Sequence, residues 1–418
     1  MKKKRIAISL ASLALAGALL LSGCGLVSRS DTPGTDSAGA SPAARSDAVS
    51  TATSAPAVST AATSGDADSA LFSKRDLAQT ADTSEATAIT LTDGETLTIT
   101  EAGVFILSGS AKEAQVVVKA GDEDKVQLVL DGLSIVNSGK PCILVENADK
   151  VFLTSAEGNE NALTVSGKSS GDEDAVIFSR DDLVLNGLGT VTISSSADGV
   201  RSGDDLKLTG GTWNVTAANT AIKAHDSILV YDGTYELSAG SDGLHAEDND
   251  DDTAGSILIE GGNLTIRAGD DGIHATTSAA VNGGTLSITA AEGIEATQVI
   301  INDGEISIKA TDDGVNAGRK SKSLSVKIEV NGGKLTIVMG AGDTDGIDSN
   351  GDLIITGGVI DITGQSPFDY DGSCSYTGGT IIVNGQETNS VTNQMMGGGM
   401  GGQGHMGSPG GGFGGKRG

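Results

Sequence analysis

A five-residue phrase recurs along this 418-residue chain and dictates its shape. Asp242-Gly243-Leu244-His245-Ala246 returns as Asp271-Gly272-Ile273-His274-Ala275, as Glu292-Gly293-Ile294-Glu295-Ala296 and as Asp313-Gly314-Val315-Asn316-Ala317. Looser copies lie at Asp198-Gly199-Val200, Thr220-Ala221-Ile222 and Asp345-Gly346-Ile347. Measured at the Val/Leu/Ile position, the steps are 22, 22, 29, 21, 21 and 32 residues. The base period of about 21–22 residues falls in the range of solenoid repeats, and the two long steps contain insertions.

Each repeat carries three short apolar runs. The first is the Asp-Gly-Ile-x-Ala run, the second precedes a turn (Ile257-Leu258-Ile259-Glu260-Gly261-Gly262), and the third follows it (Leu264-Thr265-Ile266-Arg267-Ala268). The third run alternates apolar and polar residues, which is strand period, and no run has helix period. Gly-Gly, Asp-Gly and Asn-Gly mark the turns. Three strands per turn of about 21–22 residues, with none returning antiparallel, predict an all-β chain: a single-stranded parallel β-helix whose coils stack at roughly 4.8 Å. Each coil then needs its neighbours to bury its apolar face. Register places Trp213, Tyr235, Leu264, Leu286, Ile306, Leu335 and Ile360 in one inward column, and Val200, Ile222, Leu244, Ile273, Ile294, Val315 and Ile347 in another.

The ends read differently. Lys2-Lys3-Lys4-Arg5, an apolar run to Leu21 and Leu21-Ser22-Gly23-Cys24 form a lipoprotein signal peptide over 1–23, with Cys24 as the lipidated residue of a membrane-anchored surface protein. Residues 24–85, rich in Ser, Thr and Ala, predict a disordered linker. The β-helix is expected over 86–385 and a Gly/Met-rich disordered tail over 386–418. Cys142 and Cys374 lie many coils apart and are too distant for a disulfide within a monomer. The net charge is −28, and loss of the four basic signal residues takes it to −32. That charge excludes nucleic acid as a partner, and an acidic polymer needs a cation between it and the protein.

The repeat stacks acids on acids. Asp242, Asp271, Asp313 and Asp345 fall on one corner, where carboxylates one coil apart repel unless they splay, hold protons or share a hard cation. Oxygen-only clusters of this kind suit Ca²⁺. Simple Asp-Gly turn chemistry is the alternative. The insertion bearing Asp250, Asp251 and Asp252 is expected to fold over Asp242 and Asp271. Two further acidic turns hold Asp343, Asp345 and Asp348, and Asp369 and Asp371. Between the inward residues of the first run lies one outward position per coil. There Lys223, His245, His274, Glu295 and Asn316 form a polar strip that suits a glycan, although any solvent-facing strand must be polar. Zinc at His245 and His274 lacks an evident third ligand at typical spacing.

Ile99-Thr100-Glu101-Ala102-Gly103-Val104-Phe105, Val126-Gln127-Leu128-Val129-Leu130-Asp131-Gly132, Asp345-Gly346-Ile347-Asp348-Ser349-Asn350-Gly351 and Phe368-Asp369-Tyr370-Asp371-Gly372 run in an order that resembles a known family. It is that of the calcium-dependent β-helix carbohydrate-binding domains of bacterial surface lipoproteins. The resemblance implies a right-handed, pectate-lyase-like helix, Ca²⁺ in acidic loops, and binding of cellulose or an acidic glycan such as polygalacturonate without a catalytic residue set. The expected function is non-catalytic, Ca²⁺-dependent polysaccharide binding by a monomer at the cell surface. The alternatives are a pectate-lyase-like enzyme, with Lys223 as base, and a structural spacer or adhesin.

Overall fold

The apolar runs become strands, and the strands stack in three faces. The computed structural model describes residues 71–167, 171–341 and 344–393. Cys24, most of the expected linker, Asp343 and the Met-rich tail lie outside the described residues. In one coil the first face takes Leu244–Ala246, the second Ser256–Ile259 and the third Asn263–Ala268. Each pairs in parallel with its copy in the next coil. This is the expected parallel β-helix.

The inward columns hold in register. Trp213 pairs with Tyr235, Tyr235 with Leu264 and Leu264 with Leu286. On the first face Ile222, Leu244, Ile273 and Ile294 follow one another. All are buried. Trp213 and Tyr235 turn their polar tips to turn carbonyls, Trp213 Nε1 donating to Gly210 O at 3.0 Å and Tyr235 Oη to Asp232 O at 2.9 Å. Cys142 is buried, which pushes its thiol up to about 12, and neither Cys142 nor Cys374 forms a disulfide.

The glycine of the recurring phrase has a different role from the turn expected of it. Gly272 has no positive φ and lies within the strand Asp271–Val281. A Cβ there would stand 2.3 Å from Ile288 Cγ2 and 2.6 Å from Gly293 O. The same overlap recurs at Gly243, Gly293, Gly314 and Gly346. Glycine is required because the backbone of the next coil passes where a side chain would begin.

The acid of the phrase is also architectural in part. Asp198 Oδ1 accepts the N–H of Thr220, Asp242 Oδ1 that of Asp271, and Asp313 Oδ1 that of Asp345, at 3.1–3.2 Å. Each carboxylate thus caps the backbone of the coil above it. A second ladder runs at another corner. Asn331 Nδ2 donates to Asn302 Oδ1, Asn302 Nδ2 to Asn282 Oδ1, and Asn282 Nδ2 to Glu260 Oε1.

Both ends of the expected domain move outward. Residues 71–79, assigned from composition to the linker, form a strap across the second face. Asp76 is fully buried, with Lys207 Nζ 2.8 Å from Oδ2 and Lys150 Nζ 3.5 Å from Oδ1. Gln79 accepts the N–H of Gly187 and donates to Thr209 O, and the Arg75 guanidinium lies 4.5 Å from the Phe152 ring. The strap covers Phe152 and Lys207, outward residues of an apolar stripe whose exposure would be costly. At the other end Gln386–Thr388 turns back antiparallel on Thr380–Val383 through Asn384 and Gly385, both with positive φ. That Asn-Gly pair is a hairpin signal, and it blunts the last sheet edge.

Gly272→Ala is expected to lower stability by about 1–3 kcal/mol, the usual range for overpacking. Gly171→Ala, whose Cβ meets nothing within 4 Å, is expected to stay within about 0.5 kcal/mol of the parent. Urea midpoints of the two variants check this; equal midpoints contradict the steric role.

Candidate functional site

The outward column of the first face is continuous. Register links Phe178 to Arg201, then Lys223, His245, His274, Glu295, Asn316, Asp348 and Asp369. Stacking sets these residues roughly 4.8 Å apart. The strip changes character from end to end. It begins apolar, where Val117, Leu144, Ala175 and Phe178 form a cluster outside the main core. The Arg180 and Arg201 guanidinium groups lie 5.7 and 5.6 Å from the Phe178 ring. Lys223 follows, and then the strip becomes imidazole and carboxylate.

The centre is a network of charged groups. His245 Nδ1 is 2.7 Å from Asp242 Oδ2, and its Nε2 is 3.2 Å from Glu247 Oε2. His274 Nδ1 is 2.6 Å from Asp271 Oδ2 and 2.9 Å from Glu295 Oε2. The two imidazoles stack 4.6 Å apart at 6°. Glu295 Oε1 takes Lys320 Nζ at 2.6 Å, and Asn316 Nδ2 donates to Glu292 Oε2 at 2.9 Å. Burial would lower the His274 pKa, but its hydrogen bonds to Asp271 and Glu295 outweigh that and raise it to about 10. Burial would raise Glu295, yet His274 and Lys320 hold it down at about 2. Glu292 is pushed up to about 7 by burial and by neighbouring carboxylates.

The far end is acidic throughout. Asp348 is pushed up to about 7 by burial, then by Asp313, Asp369, Asp345 and Asp371. Asp313 rises to about 6, chiefly from burial, with Asp312 and Asp345 adding to it. Ser366 Oγ donates to Asp345 Oδ1. Of the acidic residues expected to hold a cation, Asp313, Asp345, Asp369 and Asp371 are the neighbours whose charge acts on Asp348.

The insertion after Ala246 departs from expectation. It leaves its strand at the end opposite Asp242 and runs alongside the stack instead of folding over Asp242 and Asp271. Asp252 accepts from the Lys322 N–H at 3.0 Å and from Ser323 Oγ at 3.4 Å, in the insertion three coils on. Asp251 Oδ1 accepts from the N–H and Oγ1 of Thr253, and the Asp250 N–H donates to Asp248 Oδ1. The two insertions therefore brace each other and wall the strip, while Glu247 and Lys320 turn inward onto it.

Sequence reasoning had no view of Lys320, since the second insertion has no counterpart in other coils from which to read its register. Glu292 was visible as the acidic corner residue of its repeat, but its contact with Asn316 crosses to the next coil.

A family model described as carbohydrate-binding domain-containing protein matches residues 93–344. A carbohydrate-binding domain-containing protein of Acetivibrio thermocellus is 34% identical over 126 residues, which is 28% of this chain. The chain spans 44% of the length of that curated relative. Among solved structures, the polysaccharide lyase-like protein from C. thermocellum, as a gadolinium derivative, is 28% identical with a TM-score of 0.48. That match covers 53% of this chain and 96% of the solved one. With the family model covering more than half of its length, the chain belongs to the family of carbohydrate-binding domain-containing proteins.

Proposed function

We propose that this protein binds an acidic polysaccharide at the bacterial surface, without cleaving it, through Ca²⁺ held at the acidic end of the strip. One observation carries the reading. Asp313, Asp345, Asp348, Asp369 and Asp371 lie on adjacent coils, and burial together with the neighbouring carboxylates pushes Asp348 up to about 7 and Asp313 up to about 6. The donor set is all oxygen, as Ca²⁺ prefers, and its members are partly exposed on one face. A bound Ca²⁺ neutralises such a cluster and leaves coordination positions for uronate carboxylates. Lys223 and Arg201 supply fixed positive charge further along the same strip. Cys24 within its lipobox supports a lipid anchor on the outer face of the membrane.

Lyase chemistry needs a base close to the metal that acidifies the sugar proton. Lys223 is two coils from His274 in register, roughly 10 Å, and further from the acidic cluster. That spacing favours binding. Calorimetry of the full chain with polygalacturonate is expected to give saturable heat with Ca²⁺ and none in excess chelator. Asp348→Asn combined with Asp369→Asn is expected to weaken the Ca²⁺-dependent part by about tenfold or more, equivalent to roughly 1.4 kcal/mol. Binding unchanged by chelator contradicts the reading. Incubation with pectate is expected to release no unsaturated uronide absorbing in the ultraviolet; its release identifies a lyase instead.

The acidic cluster also fixes a pH signature. The folded pKa values of Asp348 and Asp313, about 7 and about 6, lie above the ordinary value of 3.8. The stability that their protonation confers is fully present below that ordinary value and is lost as pH rises through about 6–7. In chelator the melting temperature is therefore expected to fall over this window more steeply for the parent than for Asp348→Asn. The stabilisation by Ca²⁺ is expected to be larger at about pH 8 than at about pH 5, because the cation binds the charged form. A Ca²⁺ effect independent of pH contradicts the assignment.

A further inference from the structure

We propose that Asp271, His274 and Glu295 form a second metal site, for a borderline divalent cation with zinc as the best fit, separate from the all-oxygen Ca²⁺ cluster. One atom from each residue, His274 Nδ1 and one carboxylate oxygen from each acid, lies within 4.8 Å of the others. The set is mixed nitrogen and oxygen, which zinc accepts and Ca²⁺ disfavours. Three protein ligands with one open position is the pattern of zinc sites that take up water or an external ligand.

The three side chains are positioned by the backbone. Asp271 and His274 sit three residues apart on the strand Asp271–Val281, and Glu295 lies directly across from His274 in the next coil. Each is surrounded by groups that fix its orientation. The His245 ring stacks on His274, Lys320 Nζ holds Glu295 Oε1, and the Asp271 N–H is tied to Asp242. Outer-shell contacts of this kind orient ligands and raise affinity.

The geometry at Nδ1 is that of ligands converging on a cation. Two carboxylate oxygens approach this one nitrogen, at 2.6 and 2.9 Å, although it can donate only one hydrogen. A zinc ion between them needs donor separations of about 3.3 Å, so the side chains must open by roughly half an ångström. The His274, Asp271 and Glu295 side chains are 14, 7 and 8% exposed, so the three ligands are mostly buried, with His274 the one nearest solvent. The site does not depend on the glycan reading.

Zinc alone is the probe. The metal-stripped full chain is titrated with Zn²⁺ against a chromophoric chelator in excess Ca²⁺. One equivalent that survives Ca²⁺ is expected. It is expected to weaken in His274→Ala and in Glu295→Gln by more than the roughly 10–100-fold typical of losing an outer-shell partner. His405→Ala, which removes the histidine of the tail, is expected to leave it unchanged. Glu295→Gln is nearly isosteric, and the near-ultraviolet signal of Trp213 checks that each variant is folded. Co²⁺ in place of Zn²⁺ is expected to give the strong visible bands of a four-coordinate ion in the parent and not in His274→Ala. The proposal is overturned if Ca²⁺ displaces all the zinc, if folded His274→Ala and Glu295→Gln titrate like the parent, or if His405→Ala alone abolishes binding.

Discussion

Everything on this molecule rests on the distance between one coil and the next. Parallel pairing satisfies the backbone of each coil with its neighbour and fixes equivalent residues roughly 4.8 Å apart. Two side-chain devices protect that spacing at the first corner. Glycine vacates the space through which the next backbone passes, as at Gly272 and Gly293. The acid before it accepts the N–H of the following coil, as Asp242 does for Asp271. The Asp-Gly pair is therefore a stacking device, which explains its return in coils that share no functional residue.

The same spacing turns repetition into electrostatics. A residue type repeated along a column meets its own copy at a distance where two unit charges interact by roughly 3 kcal/mol at an effective dielectric near 20. Apolar columns gain from this and acidic columns suffer. At the centre of the strip the acids are answered by His274 and Lys320, and Glu295 stays ionised. Towards the far end, among the described residues, burial and then Asp313, Asp369, Asp345 and Asp371 push Asp348 up to about 7. One strip thus contains a compensated half and an uncompensated half. The proposed hard-cation site belongs to the second half, and the proposed nitrogen-centred site to the first.

The columns could be read from sequence because insertions fall between strands and leave the register of each strand intact. Trp213 pairs with Tyr235 and His245 with His274 as the repeat requires. What could not be read lies where the repeat gives no template. Lys320 belongs to an insertion present in one coil, and its contact with Glu295 joins parts of the chain whose separation no period fixes. The strap was hidden by composition, since Phe72, Asp76 and Gln79 are isolated among polar and small residues. Its signal was on the other side of the contact. Lys207 stands between the apolar Val184 and Leu229 in the outward stripe, where a buried ammonium requires an acid from elsewhere in the chain.

That contact bears on how the folded part meets the chain that precedes it. Asp76 is fully buried between Lys207 and Lys150, and these two lysines stand on different coils of the second face. Removing either partner leaves an uncompensated charge in a buried setting, which is costly by several kcal/mol. The Arg75 guanidinium over Phe152 and the two Gln79 hydrogen bonds extend the attachment over further coils. A pull on the segment before Leu71 is therefore distributed over a sheet, where opposing it takes several contacts at once, and does not fall on the edge strand Thr87–Thr90 alone. The strap thus adds attachment at coils beyond the first, whose edge-strand pairing would otherwise be the point at which the stack unzips.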